Sequence, residues 1–181
     1  LDEDGLTEQL AEVADGLLVM PFHSRKHFVE RTLPAVEEGL ARSGRSRADF
    51  TINPQAICAV GRTPEEQEVA DLGVRGLLAF YGSTPAYLPV LEVEGWADVQ
   101  PELNALSKVG DIAGMMALVS DEMISTLAVR GTPEECAAEI QHRFGAVAER
   151  VCAYFPGYQP PLEQIGDLAA ALASDPNPGS R

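Results

Sequence analysis

Three polar side chains that could bind a ligand follow the first apolar strand predicted from the sequence. His23, Ser24 and Arg25 come shortly after residues 17–20, an apolar run typical of a strand buried on both faces. Because ligands bind at the carboxyl ends of parallel strands in α/β proteins, we expect these side chains to face a binding site. Histidine and serine hydrogen-bond ligand oxygens, arginine adds positive charge, and a helix that begins here favours a phosphate. The alternative is that Ser24 only caps this helix and that His23 is a solvated loop residue.

A fourth candidate, Arg62, follows the second predicted strand, residues 50–60, at the same end of the sheet. Its guanidinium could pair with an acidic ligand, although a solvated turn residue fits the sequence equally well. The pattern Thr-Pro-Glu-Glu comes directly after it, at residues 63–66, and recurs at residues 132–135. In each copy threonine is a helix N-cap, proline takes the first helical position, and the glutamates lie at the positive end of the helix dipole. The sequence therefore predicts a strand, a tight turn and a capped helix.

Two tyrosines, Tyr81 and Tyr87, lie in the segment that follows the second predicted strand and its helix. Insertions at this position in a barrel often form lids or pocket walls. Either tyrosine could hydrogen-bond a substrate carbonyl or stack on a flat ring. The alternative is a packed loop in which Gly82 and Pro85 set a turn.

The sequence identifies no catalytic acid, base or nucleophile. Its glutamates in the two Thr-Pro-Glu-Glu copies belong to helix first turns, and nothing suggests that two carboxylates share a desolvated site. Neither a Walker pattern nor G-x-G-x-x-G is present. Cys58, Cys136 and Cys152 lack the spacing of metal ligands, so we expect no metal site. We interpret all three as buried, inert thiols in a protein of the reducing cytoplasm.

The charge of the chain narrows its possible partners. The net charge is -15, with 13 Lys and Arg against 28 Asp and Glu, and this argues against nucleic acid and against anionic lipid. No apolar run approaches the roughly 20 residues that a membrane span requires.

The elements that must position these residues alternate between strands and helices. We predict strands at residues 17–20, 50–60 and 150–155, and helices at residues 7–14, 25–41, 63–80, 96–106, 111–127, 133–144 and 162–172. Pro34 lies inside one helix and is expected to kink or break it. Residues 174–181, rich in proline, glycine and serine, are predicted to form a disordered tail.

Three buried parallel strands make a poor sheet by themselves, because such sheets need both faces covered and their edges protected. The order of elements therefore favours an α/β fold in which residues 1–173 form the C-terminal three βα units of a TIM-like (β/α)8 barrel. A helical insertion then follows the middle strand. Since a TIM barrel takes about 250 residues, we expect its first five strands to lie outside this chain.

Several segments together resemble the C-terminal portion of the luciferase-like monooxygenase family. The helix-to-strand joint at residues 10–19 and the Gly-Thr-Pro-Glu-Glu element at residues 131–135 are similar to that family. More narrowly, the chain resembles a branch assigned to the deazaflavin coenzyme F420 at residues 79–87, 121–123 and 150–156. The likeness extends over roughly residues 6–156, and the ordered set of motifs is more specific than any one of them.

The resemblance implies an enzyme that binds F420, or alternatively FMN, at the carboxyl ends of its strands and transfers a hydride to or from a small organic substrate. On this interpretation His23, Ser24, Arg25 and Arg62 bind the cofactor, and the two tyrosines of the insertion bind substrate. The expected partners are a small-molecule substrate and either a second copy of the chain or a complementary N-terminal half. The alternative function is a non-catalytic α/β assembly module that pairs with a complementary barrel half or with itself.

Overall fold

The computed structural model describes residues 3–148 and 150–174 and shows parallel strands surrounded by helices. The strands are β1 (Gly16–Val19), β2 (Thr51–Val60), β3 (Ala128–Gly131) and β4 (Cys152–Tyr154). The helices are α1 (Glu3–Val13), α2 (Arg25–His27), α3 (Leu33–Ser43), α4 (Pro64–Gly82), α5 (Leu88–Val93), α6 (Val99–Val109), α7 (Ile112–Leu118), α8 (Asp121–Leu127), α9 (Pro133–Phe144) and α10 (Leu162–Ser174). In the part of the chain just defined, no helix is both long and apolar enough to cross a membrane.

The strand β2 is the centre of the sheet, because β1, β3 and β4 each pair with it in parallel. β1 pairs with its first half, from Thr51, whereas β3 pairs with its last residues, up to Val60. Ile57 pairs with residues of both β3 and β4, so these two short strands lie against opposite edges of β2.

The edge of β2 that β4 leaves unpaired is completed by a side chain. The Tyr158 hydroxyl accepts a hydrogen bond from the Val60 N–H at 2.7 Å and donates one to the Cys58 carbonyl at 2.9 Å. A backbone group buried without a partner costs free energy. Tyr158 therefore replaces the next residue of a paired strand.

The two faces of β2 belong to two separate cores. Alternate residues, among them Ile52, Ala56 and Cys58, pack against α1, α3, α9 and α10. On the opposite face, Ile57 and Ala59 pack against the helices of the insertion, α4 to α8. Successive residues of a strand point to opposite faces, and the sequence of β2 is apolar at almost every position because both of its faces are covered near its carboxyl end.

Near the amino-terminal half of β2, no described helix covers that second face of the sheet. Leu18 of β1 pairs with Asn53, and Tyr154 of β4 pairs with Ile57. Leu18, Asn53 and Tyr154 therefore lie on the same face of the sheet as Ile57. Leu18 is 63% exposed and Tyr154 37% exposed. We call this surface the open sheet face, defined by Leu18, Asn53, Gln55, Cys152 and Tyr154. Parallel sheets are normally covered on both faces, so this surface, in which Leu18 and Tyr154 lie beside the amides of Asn53 and Gln55, lacks a covering layer among the described residues.

The structure confirms the predicted α/β class and the parallel sheet, and corrects several details. A fourth strand, β3, was not predicted. The helix expected over residues 111–127 is two helices, because Val119 is extended and Ser120 caps the second one. The expected distortion before Pro34 is a π-helical turn over Phe28–Thr32. Of the predicted tail, Ser174 belongs to α10, whereas residues 175–181 lie outside the described part of the chain.

Both Thr-Pro-Glu-Glu copies form the N-capped helix starts that the sequence predicts, and each is also a reciprocal capping box. The Thr63 hydroxyl accepts the Glu66 N–H, whose carboxylate accepts the Thr63 N–H in return, and Thr132 and Glu135 do the same. Gly131, directly before the second box, has φ 129°, a conformation that side chains rarely adopt. The two helices α4 and α9 consequently begin at the same end of β2.

The crossing of α1 and α3 supplies the first testable prediction. A Cβ atom on Gly39 would lie 2.1 Å from the Glu8 carbonyl oxygen and 2.7 Å from the Ala11 Cβ atom. We expect Gly39→Ala to lower the free energy of unfolding by about 1–3 kcal/mol, because the helices must separate. Gly76→Ala is the matched control, since its Cβ would meet nothing within 4 Å and alanine favours the helix by about 1 kcal/mol. Urea unfolding measures the free energy of unfolding of both variants, and equal changes would contradict the close approach of α1 and α3.

The tyrosine that completes β2 supplies a second prediction. Tyr158→Phe removes the hydroxyl that bonds Val60 and Cys58 and leaves two strand-edge groups without their partner. We expect the variant to lose about 1–3 kcal/mol of unfolding free energy. Thermal unfolding followed by circular dichroism measures the loss, and an unchanged melting temperature would show that this hydroxyl does not stabilise the strand.

Candidate functional site

Ser24 joins the start of α2 to the end of the insertion helix α5. Its hydroxyl accepts a hydrogen bond from the His27 N–H at 3.0 Å and donates one to the Glu94 carboxylate. Beside it, the Lys26 Nζ donates to the Val93 carbonyl at 2.6 Å. The capping role considered for Ser24 is therefore present, and the same side chain also fixes the insertion against the loop that follows β1.

An open groove of about 440 Å³ lies next to these contacts. We call it the Ser24 groove; it is lined by Ser24, Arg25, Lys26, Val29, Glu30, Glu94, Ser125, Thr126, Glu139, His142 and Arg143. Arg25 is exposed, and no ion pair of its side chain is found among residues 3–148 and 150–174. By contrast, the Arg143 guanidinium caps the carboxyl end of α8 by donating to the carbonyl groups of Ser125, Thr126 and Ala128. Arg25 is thus the cation of the groove best placed to meet a ligand.

His23 is buried, not solvated, and this corrects the alternative considered for it. Its ring lies 5.7 Å from that of Phe28 and 5.5 Å from that of Phe144. Neither ring nitrogen has a hydrogen-bond partner. The ring borders a closed space beside the backbone of Gln55 and the side chain of Arg143, with no room for a water molecule. A buried polar group without a partner is unusual and calls for a functional or structural explanation.

Burial is the largest cause that lowers the pKa of His23 from 6.5 to about 4, and the nearby charges of His27 and Arg143 contribute to the same decrease. The backbone groups of Ser24 and Gln55 oppose this shift only in part. The imidazole is consequently neutral at pH 7, with one nitrogen able to donate and the other able to accept.

Arg62 lies at the carboxyl end of β2 but is already paired. Its guanidinium contacts the Glu134 carboxylate at 2.8 Å and the Asp167 carboxylate at 2.6 Å. Its backbone N–H donates to the Glu66 carboxylate at 2.8 Å. These bonds tie the starts of α4 and α9 to α10. An acidic ligand would have to displace at least one carboxylate to reach this guanidinium.

Tyr81 and Tyr87 pack together on the phenylalanine that precedes His23. Their ring centroids are 5.3 Å apart in an edge-to-face arrangement, and Phe22 lies 5.7 Å from Tyr81 and 5.6 Å from Tyr87. We call these three rings the aromatic cluster. The insertion therefore reaches the loop after β1 by aromatic contacts as well as through Ser24.

The structure brings some of the predicted residues together and separates others. The aromatic cluster adjoins the Ser24 groove through the consecutive residues Phe22, His23 and Ser24. Arg62 is remote from them, because His23 lies beside Gln55 and Ile57, and Arg62 follows these residues by roughly 17–23 Å of extended chain at about 3.3 Å per residue. The predicted cofactor residues thus form one group around the loop after β1 and one isolated arginine.

The surroundings of three residues were predicted wrongly from the sequence or were missed. His27 is buried, and burial lowers its pKa, which the sequence analysis did not anticipate. Cys152 is exposed, not buried. The role of Phe22 as the floor of the aromatic cluster was missed, although its position in an apolar run directly before His23 was the available signal. These errors share a cause, since each environment is formed by distant segments.

Comparisons with known proteins give a consistent result. The profile of the luciferase-like monooxygenase family matches residues 4–150. An uncharacterized protein of Mycobacterium tuberculosis is 41% identical over 152 residues, which cover 84% of this chain and 45% of that protein. The 5,10-methylenetetrahydromethanopterin reductase of Archaeoglobus fulgidus is 30% identical over 153 residues, which cover 81% of this chain and 44% of the reductase.

Two solved structures share the fold. The coenzyme F420-dependent tetrahydromethanopterin reductase of Methanopyrus kandleri superposes with a TM-score of 0.71 at 19% identity, over 97% of this chain and 48% of that one. An F420-dependent secondary alcohol dehydrogenase, in complex with an F420-acetone adduct, has a TM-score of 0.52 at 18% identity, over 81% of this chain and 39% of the dehydrogenase. The chain spans less than half the length of each of these relatives.

The buried imidazole predicts acid sensitivity. The pKa of His23 is 6.5 when unfolded and about 4 when folded, so the unfolded chain binds the extra proton between these values. Stability present above pH 6.5 is therefore lost as the pH falls towards 4, by about 3 kcal/mol from this residue. We expect His23→Gln to show a smaller loss over this range than the unsubstituted protein.

The measurement is urea unfolding at several pH values between 4 and 7. His142→Gln is the matched control, because His142 is exposed and its removal should leave the slope unchanged. If His23→Gln and the unsubstituted protein lost stability in parallel, the neutral buried imidazole would be refuted.

Proposed function

The chain belongs to the luciferase-like monooxygenase family, and we propose that residues 1–173 form the C-terminal three βα units of its TIM-like (β/α)8 barrel. On this proposal β1, β2 and β4 are barrel strands, and α4 to α8 form the insertion after the middle one. The likeness to a reductase of which the chain covers 48% supports this arrangement. So does the open sheet face, because the exposure of Leu18 and Tyr154 is what an inner barrel wall would show without its opposite side.

The proposed activity is that of an F420-dependent oxidoreductase, with FMN as the alternative cofactor. Bound F420 supplies or accepts the hydride, and the protein binds and orients the reacting molecules. The observation that carries the proposal is the fold shared over 97% of the chain with an F420-dependent reductase, together with 30% identity to the Archaeoglobus fulgidus reductase. The substrate is a small organic molecule.

The residues around the loop after β1 fit an anionic cofactor in three respects. Arg25 offers a positive charge without an internal ion pair, and Ser24 lies at the wall of the same groove. The nitrogens of His23 are unpartnered. We propose that these three residues contact the cofactor, Arg25 through the acidic tail, with His23 becoming accessible when the loop shifts. Arg62 is proposed as a second contact to that tail, in exchange for Glu134 or Asp167.

Tyr81 and Tyr87 are proposed to contact the substrate, because they pack on Phe22, close along the chain to His23 and Ser24. No described residue is assigned as a catalytic acid or base. The cytoplasm is the proposed location, since Cys58, Cys136 and Cys152 are all free thiols.

A second candidate function is favoured by one specific observation. Among the described residues, β1 and β4 pair only with β2, so their outer edges carry unpaired backbone groups. With the open sheet face between them, these edges suit assembly with a complementary barrel half or with a second copy of the chain. On this alternative the chain is a structural module with no cofactor site of its own.

The cofactor proposal is tested by titrating the purified chain with F420 and, separately, with FMN, followed by quenching of cofactor fluorescence. We expect micromolar binding of F420 and a weakening of about tenfold in Arg25→Ala, because a charge-assisted contact is lost. The matched control is Arg130→Ala, which removes the same charge from a surface pair with Asp71.

Four results are informative. Selective loss in Arg25→Ala supports the assigned contact, and equal loss in both arginine variants would reduce it to a net-charge effect. Binding of FMN alone would replace the proposed cofactor. No binding of either cofactor by folded protein would overturn the cofactor site and favour the assembly module.

A further inference from the structure

One flank of the helix α1 is apolar and exposed. Leu6, Leu10 and Val13 follow one another at the spacing of a single helix face, and all three side chains are exposed, that of Val13 by 81%. An amphipathic helix normally buries such a row of residues against another element. We call these three residues the α1 stripe, which the described part of the chain leaves open to solvent.

The other sides of α1 are already packed. Asp4, Glu8 and Glu12 lie on one flank, where they pair with arginines of α3 and of the π-helical turn before it. Ala11 is fully buried in the core that α1 and α3 share. At about 100° per residue, the α1 stripe lies roughly opposite the three acidic residues, with Ala11 between the two flanks. The stripe therefore faces the side of α1 that α3 leaves free.

The same side of the fold carries the free edge of β1. Among residues 3–148 and 150–174, β1 pairs only with β2. The helix α3 connects β1 to β2 on the face of the sheet that α1 also covers. The flank of α1 turned away from α3 consequently points away from β2, towards the free edge of β1. A strand beside β1 with a helix beside α1 would cover both surfaces at once.

The charge of this region distinguishes a different polypeptide from a second copy of the chain. Residues 1–24 contain six Asp and Glu and no Lys or Arg. Two copies joined edge to edge at β1 would bring these acidic segments together, and like charges oppose such a contact. The acidic side chains of α1 therefore favour a partner that does not repeat them.

We propose that the α1 stripe and the free edge of β1 together bind a strand–helix unit of a different α/β polypeptide. The strand of the partner hydrogen-bonds to β1, and its helix packs on Leu6, Leu10 and Val13. This interface is additional to the proposed oxidoreductase activity and does not depend on the identity of the cofactor.

The test is co-expression of the chain, carrying an affinity tag, with a defined partner. The probe is the part of the Mycobacterium tuberculosis relative that lies outside the 152 matched residues, which is more than half of that protein. We expect the two polypeptides to copurify as a 1:1 complex, which light scattering measures. Hydrogen exchange in the complex should be slower at residues 6–13 and 16–19 than in the free chain, and unchanged at residues 99–118.

A paired substitution tests the α1 stripe itself. Leu6→Glu with Val13→Lys places each charge where the helix dipole favours it, so the free chain should keep its melting temperature. Recovery of the partner should fall at least tenfold, because the charges would be buried without partners. The matched control is Leu72→Glu with Val69→Lys, the same changes at two exposed residues of α4, and it should recover the partner in full.

Three results would overturn this interface. They are no complex on co-expression, equal recovery of the partner by the stripe variant and the control variant, or a dimer of the unsubstituted chain that Leu6→Glu with Val13→Lys dissociates. The last result would assign the same surface to a second copy. Failure of the proposed function gives a different pattern, in which the complex forms as expected but binds no F420.

Discussion

The hydrogen bonding of β2 is the interaction on which the rest of the structure depends. Each described strand pairs with β2 and with no other strand. Its carboxyl-terminal half is bonded on one edge by β3 and on the other by β4 and the Tyr158 hydroxyl. Because both edges and both faces are covered there, this half of the strand fixes where α4 and α9 begin. The amino-terminal half has only β1 and an open face, and it is where the sheet is incomplete.

Two buried histidines in and after the loop that follows β1 reduce the stability of the fold, although the same segment contributes to the candidate site. His23 and His27 are buried, each has at least one ring nitrogen without a partner, and burial lowers the pKa of both. A buried polar group left unsatisfied costs about 1–3 kcal/mol. Natural proteins leave buried polar groups without hydrogen-bond partners most often at functional sites. The same loop contributes Phe22 to the aromatic cluster and Ser24 to the contact with the insertion.

Local signals in the sequence predicted much of the fold. The two N-capping threonines, the apolar run of β2 and the proline at residue 34 act over a few residues, and the structure confirms each of them. The strand β3 was missed because four residues after a helix have little pattern of their own and become a strand only by pairing with β2. The predicted helix over residues 111–127 is divided by the extended conformation of one residue, Val119, which likewise gives little pattern in the sequence.

The candidate site was predicted less completely, for a physical reason. Sequence position placed His23, Ser24 and Arg25 at a strand end, and the structure does group them. Burial of His23 depends on Phe28 and Phe144, and the pairing of Arg62 depends on Glu134 and Asp167, which lie far along the chain. Contacts of this range are set by tertiary packing. The bond between Tyr158 and β2, across 100 residues, has the same origin.

The most direct measurement is amide hydrogen exchange by mass spectrometry, with and without F420. The account predicts that residues 56–60 exchange most slowly in both samples, and that F420 slows exchange in residues 21–26 while residues 99–118 are unchanged. Slow exchange in β2 together with this local protection would support a rigid central strand and a cofactor site at the loop after β1. Rapid exchange in residues 56–60, or bound F420 that leaves residues 21–26 unchanged, would contradict it.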